Sequence, residues 1–299
     1  MRLNGVEIED TFAEAFKMRA GRLIITAVNE KWAVEAARRA TGFATSVIGC
    51  GCEAGIEKTL SPGETPDGFP GVSILLFAIG KANIEEHLLL RVGQCIMTCP
   101  TTACFNGLES GEKLNIGGKI RFFGDGDQIS KLLEGKDDEG RRLWRIPVMD
   151  GEFLIEESFS ITSAIGGGNF LILGRDSEVT LEAAEKAVAA MEGMKGVVLP
   201  FPGGIVRSGS KTGSKYKFLS ASTNTPLCPT LKHLKGSQLP EAVNSVLEIV
   251  IDGLTGEDIR ETMRVGIQAA CIHGIVRITA GNYGGTLGKF QFHLHEIMG

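Results

Sequence analysis

The chain has 299 residues, of which 43% are apolar, enough for about two domains with a core each. The net charge of −5 gives no general reason to expect nucleic-acid binding. No apolar run approaches a membrane span, and the start, MRLNGVEIEDTFAEAF, has no apolar signal region. The expectation is a cytoplasmic protein without nucleic-acid or membrane partners.

In chain order, RLIITAV (22–28) reads as a strand because it is rich in β-branched residues. Asn29 is placed to cap a helix in which Ala33, Ala36, Ala37 and Ala40 share one face and Gly42 ends the segment. ATSVIGC (44–50) is predicted as a second strand, residues 53–71 as a Pro/Gly excursion, and VSILLFAI (72–79) as a third strand. A helix from Asn83 places Ile84, Leu88, Val92 and Cys95 on one side and stops by Pro100. Residues 114–123 and 143–148 read as strands around a charged tip, EGKDDEGRR.

The second half repeats that order. NFLILG (169–174) is a strand. TLEAAEKAVAAM (180–191) is a helix with Leu181, Ala184, Val188 and Met191 in register, and VVLPF (197–201) is a strand. A long loop covers 202–240. SVLEIVID (245–252) is a strand, and Thr255 with Asp258 starts a helix whose stripe is Ile259, Met263, Ile267 and Ala270. IVRITA (275–280) and FQFHLH (290–295) close the chain as strands. Two rounds of this order give an α+β fold of two ferredoxin-like (split βαβ) lobes with antiparallel sheets, residues 1–148 and 149–299.

Within SVLEIVID, side chains alternate between faces. Leu247, Ile249 and Ile251 suit the helix-covered face, leaving Val246, Glu248, Val250 and Asp252 on the other. Spacing alone leaves Glu248 first as a solvated residue on an open face. The valines on either side of it on that face weigh against this, because a carboxylate among apolar neighbours is costly to bury unpaired.

The other non-random feature is electrostatic. From Gly193 to Pro240 there is no Asp or Glu, whereas Lys195, Arg207, Lys211, Lys215, Lys217, Lys232 and Lys235 all fall there. Such a segment is either a solvated loop or a grip for a ligand carrying carboxylates or phosphates. Its glycines do not make a phosphate-binding loop, since Ser210-Lys211 reverses the required order. GGGNFLILG (166–174) precedes a strand and is not a dinucleotide fingerprint. The seven cysteines match no usual metal spacing and read mainly as small core residues. His293 and His295 would share a strand face but lack further ligands, so no metal is expected.

Several stretches go further. NGVEIEDTFAEAF (4–16), ATGFATSVI (40–48), EAGIEK (53–58), ETPDGFPG (64–71), GQCIMTCPTTACFNGL (93–108), PFPGGIVRSGSK (200–211) and TAGNYGGTLGKFQFHLHE (279–296) closely resemble the formylmethanofuran:tetrahydromethanopterin formyltransferase family. The resemblance covers essentially the whole chain. It implies formyl transfer from methanofuran to N5 of tetrahydromethanopterin in archaeal one-carbon metabolism, without a bound metal or prosthetic group. It also implies two ferredoxin-like lobes, a homotetramer, and a catalytic glutamate in the EIVI-type strand, here Glu248. Two stretches depart from the family pattern: Cys50-Gly51-Cys52, where a proline usually follows the cysteine, and EAFKMRAGR. Both bear on the local cleft and on which coenzyme variants fit it.

The implied chemistry needs a donor to a tetrahedral oxyanion, and a buried, protonated Glu248 supplies one. Arg207, Lys211 and Lys215 are candidates to hold the anionic arms of the two coenzymes, which act as cosubstrates. Asn106, Tyr216 and Asn282 are further polar candidates beside glycine- or lysine-rich turns. Two other readings stay open: a hydrolase component of a transferase/hydrolase complex, and a non-catalytic pterin-binding assembly module.

Overall fold

A computed structural model describes residues 1–133 and 141–299. The expected charged tip falls largely on 134–140 and so lies mostly outside the described residues. The fold is mixed, with seven α-helices among the described residues and a large, mostly antiparallel sheet. No described helix is long and apolar enough to cross a membrane. The chain divides into two compact units that are not contiguous in sequence. One comprises Met1–Phe16, Ile165–Met194 and Phe201–Gly299, the other Lys17–Ala164 and Lys195–Pro200.

The unit built on Lys17–Ala164 runs strand–helix–strand–strand–helix–strand. Residues 19–26, the end of the strand Phe12–Thr26, pair antiparallel with Gly71–Ala78 on one side and Ala103–Asn106 on the other, and Glu53–Leu60 pairs outside Gly71–Ala78. The helix Glu30–Thr41 starts where predicted: the Asn29 side chain accepts from the Trp32 N–H at 3.3 Å, and all four stripe alanines are fully buried. The helix Lys81–Arg91 buries Ile84 and Leu88 in the same core, and Val92 continues it in the short π-helix that follows.

Two elements of this unit differ from expectation. ATSVIGC does not form a strand. Ser46 accepts from the Ile48 N–H, Val47–Cys50 coils into one helical turn, and Gly51 closes it at φ 76°. A Cβ at Gly51 would meet His87 Nε2 at 2.6 Å, a clash the imidazole could relieve by moving, whereas the positive φ itself favours glycine. The strand comes later, at Glu53–Leu60, which shortens the excursion to 61–70. Residues 114–123 are likewise not a strand. Glu112–Leu114 pairs with Phe159–Ile161, and Gly117–Ile120 then turns helical, with glycines where a Cβ would collide with the Glu156 carbonyl or the Asn115 side chain.

This unit also holds a buried carboxylate. Glu57 takes a bidentate ion pair from Arg22 at 2.8 and 2.7 Å, plus hydrogen bonds from the Ser73 hydroxyl and the Gly196 N–H. Burial works to raise the Glu57 carboxyl, but these donors outweigh it and the net effect is downward. All seven cysteines are free thiols; Cys52, Cys104 and Cys271 are buried and the other four are partly exposed.

In the other unit, Ile165–Gly174 lies between Ser245–Gly253 and Ile275–Thr279, antiparallel to both, and Val6–Ile8 pairs parallel with Ile275–Thr279. The helices Ser177–Met191 and Gly256–Ala270 pack together on the face carrying Phe170, where Gly266 permits close contact with Met191. Ile259, Met263, Ile267 and Ala270 are all fully buried, as their spacing predicts. In the helix Ser177–Met191, Ala184 and Met191 are buried as expected, but Thr180, Ala183 and Ala187 join them and Leu181 is exposed. Its small residues let the two helices approach, and that tertiary demand overrides the larger side chains. His293 ends a strand, whereas His295 lies in the terminal helix Leu294–Met298, so the pair shares no strand face.

Candidate active site

Glu248 sits mid-strand in Ser245–Gly253, with Leu171 as its partner on the neighbouring strand. On its other edge it exchanges backbone hydrogen bonds with Val206, the first point at which the 202–240 segment touches this strand. The sheet face opposite the helices is not open. Leu171 and Leu173 join Val243, Leu227, Leu239 and Val246 in an apolar cluster, so the long loop folds back over the strands. A gap remains beside Glu248. It is small, about 70 Å³, is open to solvent, and is lined by Leu171, Val206, Arg207, Asn224, Cys228 and Val246, among others, together with Glu248 itself.

The Glu248 side chain is half-buried and keeps partial contact with water through the pocket. Its carboxyl has no hydrogen-bond or ion-pair partner among the described residues. Burial alone pushes its pKa up from 4.5 to about 7. Glu57, with its arginine and three further donors, moves the other way. The contrast isolates the cause: for Glu248 nothing offsets the loss of water.

A second carboxylate organises the turn that follows Ile275–Thr279. Glu14 is buried within FAEAF and accepts backbone N–H groups from Tyr283 at 2.7 Å, Gly285 at 2.9 Å, Leu287 at 2.6 Å and Gly288. Burial tends to raise the Glu14 carboxyl, but these donors prevail and hold it below the ordinary range. Asn169 clamps the same turn: Gly281 N–H donates to its Oδ1 at 2.6 Å, and its Nδ2 donates to the Gly167 and Gly281 carbonyls. GGGNF (166–170) and TAGNYGG (279–285) are thus in direct contact. The turn leaves Tyr283 near Phe16, ring centroids 6.2 Å apart.

The structure brings only some of the candidates together. Arg207 is exposed and lines the pocket with Glu248. Lys211 lies in a small hairpin, opposite Ser222, and Lys215 and Tyr216 sit exposed at its tip, with Tyr216 against Phe218; none of the three lines the pocket. The side chain of Asn282 bonds to Thr11 and the Phe12 carbonyl and also accepts the Gly284 N–H, so it serves the turn. Asn106 belongs to the other unit, where its side chain is taken up by the backbone of Leu108 and by Ser160. Among the described residues, Arg207, Lys211, Lys215 and Lys217 have no carboxylate partner. Sequence reasoning missed Glu14, Asn169 and Cys228. For Glu14 the signal was present, a carboxylate flanked by small apolar residues on a strand, the same pattern that singled out Glu248.

Comparison with known proteins gives consistent matches along the chain. A family model described as formylmethanofuran-tetrahydromethanopterin formyltransferase matches residues 1–148, and one described as FTR, proximal lobe, matches residues 151–297. The formylmethanofuran–tetrahydromethanopterin formyltransferase of Methylococcus capsulatus is 58% identical over the full length of both chains. Among solved structures, the formyltransferase/hydrolase complex from Methylorubrum extorquens, in complex with methylofuran, contains a chain that is 54% identical. It superposes with a TM-score of 0.97 over 100% of this chain and 99% of its own. The formylmethanofuran:tetrahydromethanopterin formyltransferase of Methanosarcina barkeri superposes with a TM-score of 0.93 at 50% identity, over 99% of this chain and 100% of its own.

Proposed function

The chain belongs to the formylmethanofuran–tetrahydromethanopterin formyltransferase family and is an enzyme that transfers formyl groups; on that premise we propose that it carries formyl from formylmethanofuran to N5 of tetrahydromethanopterin, with Glu248 as the donor to the transient oxyanion. The N5 lone pair attacks the formyl carbon, and the carbonyl π pair moves onto oxygen. The bond from carbon to the methanofuran nitrogen then breaks. That nitrogen keeps the pair and takes up the proton that N5 gives up, and the oxygen pair restores the carbonyl. No oxidant or reductant is needed.

The observation that carries the mechanism is Glu248 in the pocket wall, without a cation or hydrogen bond among the described residues to hold it ionised. A carboxylic acid that keeps its proton near neutrality donates to a developing oxyanion, a role an ionised carboxylate cannot fill. Arg207 at the same pocket supports docking of an anionic arm of one coenzyme, with Lys211 and Lys215 further along the segment drawing it in. Both coenzymes are cosubstrates that leave after turnover.

The order Glu53–Leu60, Gly71–Ala78, Phe12–Thr26, Ala103–Asn106 supports a ferredoxin-like reading of that lobe, and we carry it to the other half, with 1–148 and 149–299 as the two lobes. The assembly proposed is a homotetramer, and the free thiols support a reducing, cytoplasmic setting. Purified protein mixed with both coenzymes should produce the absorbance of the N5-formyl pterin; no product overturns the reading. The likeness to a chain of a transferase/hydrolase complex favours one second reading, service within such a complex. Formate release without pterin would support it.

A further inference from the structure

We propose that Tyr283 is a second hydrogen-bond donor to the reaction's transient oxyanion, acting beside Glu248; the inference rests on the formyl-transfer reading above.

Three arrangements place it there. First, Thr279, Leu171 and Glu248 are successive register partners across three strands, so they lie in one line on one face of the sheet. The chain leaving Thr279 does not depart from this face, because Asn169 on the central strand holds Gly281 by both its N–H and its carbonyl. Second, Tyr283 is fixed at its own backbone. Its N–H donates to Glu14, which at the same time holds Gly285, Leu287 and Gly288. A turn with four glycines would otherwise be loose. One buried carboxylate taking four N–H groups makes it a rigid mount, which preorganised donors require. Third, the ring is packed near Phe16 while the residue stays 36% exposed, open enough to meet a ligand. The hydroxyl has no hydrogen-bond partner among the described residues, which leaves it free to donate to a ligand.

The electrostatics agree. Burial first, then the nearby charges of Glu248 and Glu14, hold the phenol's pKa above its ordinary value. The phenol therefore keeps its proton at neutral pH and is a donor whatever the state of Glu248. Tyr283 is not part of the pocket wall that Glu248 lines; the register places its turn on the same sheet face, beyond Thr279. When the π pair moves onto the formyl oxygen, a neutral phenol and a neutral carboxylic acid both point hydrogen at it. Neither proton is transferred, and both bonds weaken again as the carbonyl re-forms. A purely structural tyrosine would need its ring but not its hydroxyl.

Tyr283→Phe separates the two roles, since it keeps the ring beside Phe16 and deletes only the donor. The measurement is initial rate against both cosubstrates over a range of pH, with thermal melting alongside. The expected result is a fall in kcat on the order of 10²-fold with both KM values little changed, an unaltered melting temperature, and a retained decline in rate near neutral pH from Glu248. A kcat within about threefold of the parent overturns the proposal. So does a loss carried by KM alone, which would make Tyr283 a binding contact. Glu248→Gln measured in parallel keeps the two readings apart. Parent-like turnover and pH dependence in that variant overturn the role of Glu248, and Tyr283→Phe still reports on its own hydroxyl.

Discussion

Val206 and Glu248 exchange both backbone hydrogen bonds, Val206 N–H to the Glu248 carbonyl at 2.7 Å and Glu248 N–H to the Val206 carbonyl at 3.0 Å. This double bond clips the acid-free segment to the outer edge of the Ser245–Gly253 strand one residue before Arg207. A carboxyl and a guanidinium, each without an oppositely charged partner among the described residues, therefore line one pocket.

The first prediction concerns the state of Glu248. With its pKa pushed up to about 7, the donating form is half-populated near neutral pH. Turnover should be flat on the acid side and fall about tenfold per pH unit on the alkaline side. Glu248→Gln, which keeps a neutral donor, should lose that pH dependence and retain far more kcat than Glu248→Ala, whose loss should be on the order of 10²–10³-fold. Equal, near-total loss in both would instead favour a general base or proton carrier.

The same shift affects stability. The folded protein holds the Glu248 proton more tightly than the unfolded chain. The associated stability is fully present below the ordinary value of 4.5 and is lost as pH rises through about 7. A full loss corresponds to no more than about 3 kcal/mol, reduced by the water that still reaches the side chain. Urea unfolding should find Glu248→Gln more stable than the parent above neutrality and similar to it in acid.

Arg207→Ala should raise the KM of one anionic cosubstrate about tenfold while changing kcat little, the pattern of a lost ground-state contact. The parent's KM should also rise with salt, and the variant's less so, because an exposed cation is screened. Lys211→Ala, at a position outside the pocket wall, should have the smaller effect. Unchanged KM values in both would remove the basic segment from coenzyme binding.

Glu14→Gln replaces two acceptor oxygens with one acceptor and one donor, which leaves some of the four turn N–H groups facing an amide N–H. The expected cost is on the order of 2–3 kcal/mol, together with a fall in kcat as Tyr283 loses its mount. Because the folded pKa of Glu14 is lowered, its contribution is present above the unfolded value and is lost as pH falls through the folded one. Denaturant unfolding should therefore show the gap between parent and variant closing in acid.

Periodicity alone identified the helices whose stripes face a core, such as Ala33–Ala40 and Ile259–Ala270, and the strand that carries Glu248. These are local properties: the repeat of apolar side chains and a capping group three residues away settle them before any long-range contact forms. The odd carboxylate in SVLEIVID was equally visible, as was the absence of acids from 193 to 240. Only the tertiary structure decided that Glu14 holds a turn some 270 residues further along the chain and that Val206 meets Glu248. In both cases the deciding partner is distant in sequence, and a hydrogen bond across that distance leaves no periodic trace in either segment; in ATSVIGC the deciding contacts are local, the Ser46 cap and the Gly51 turn.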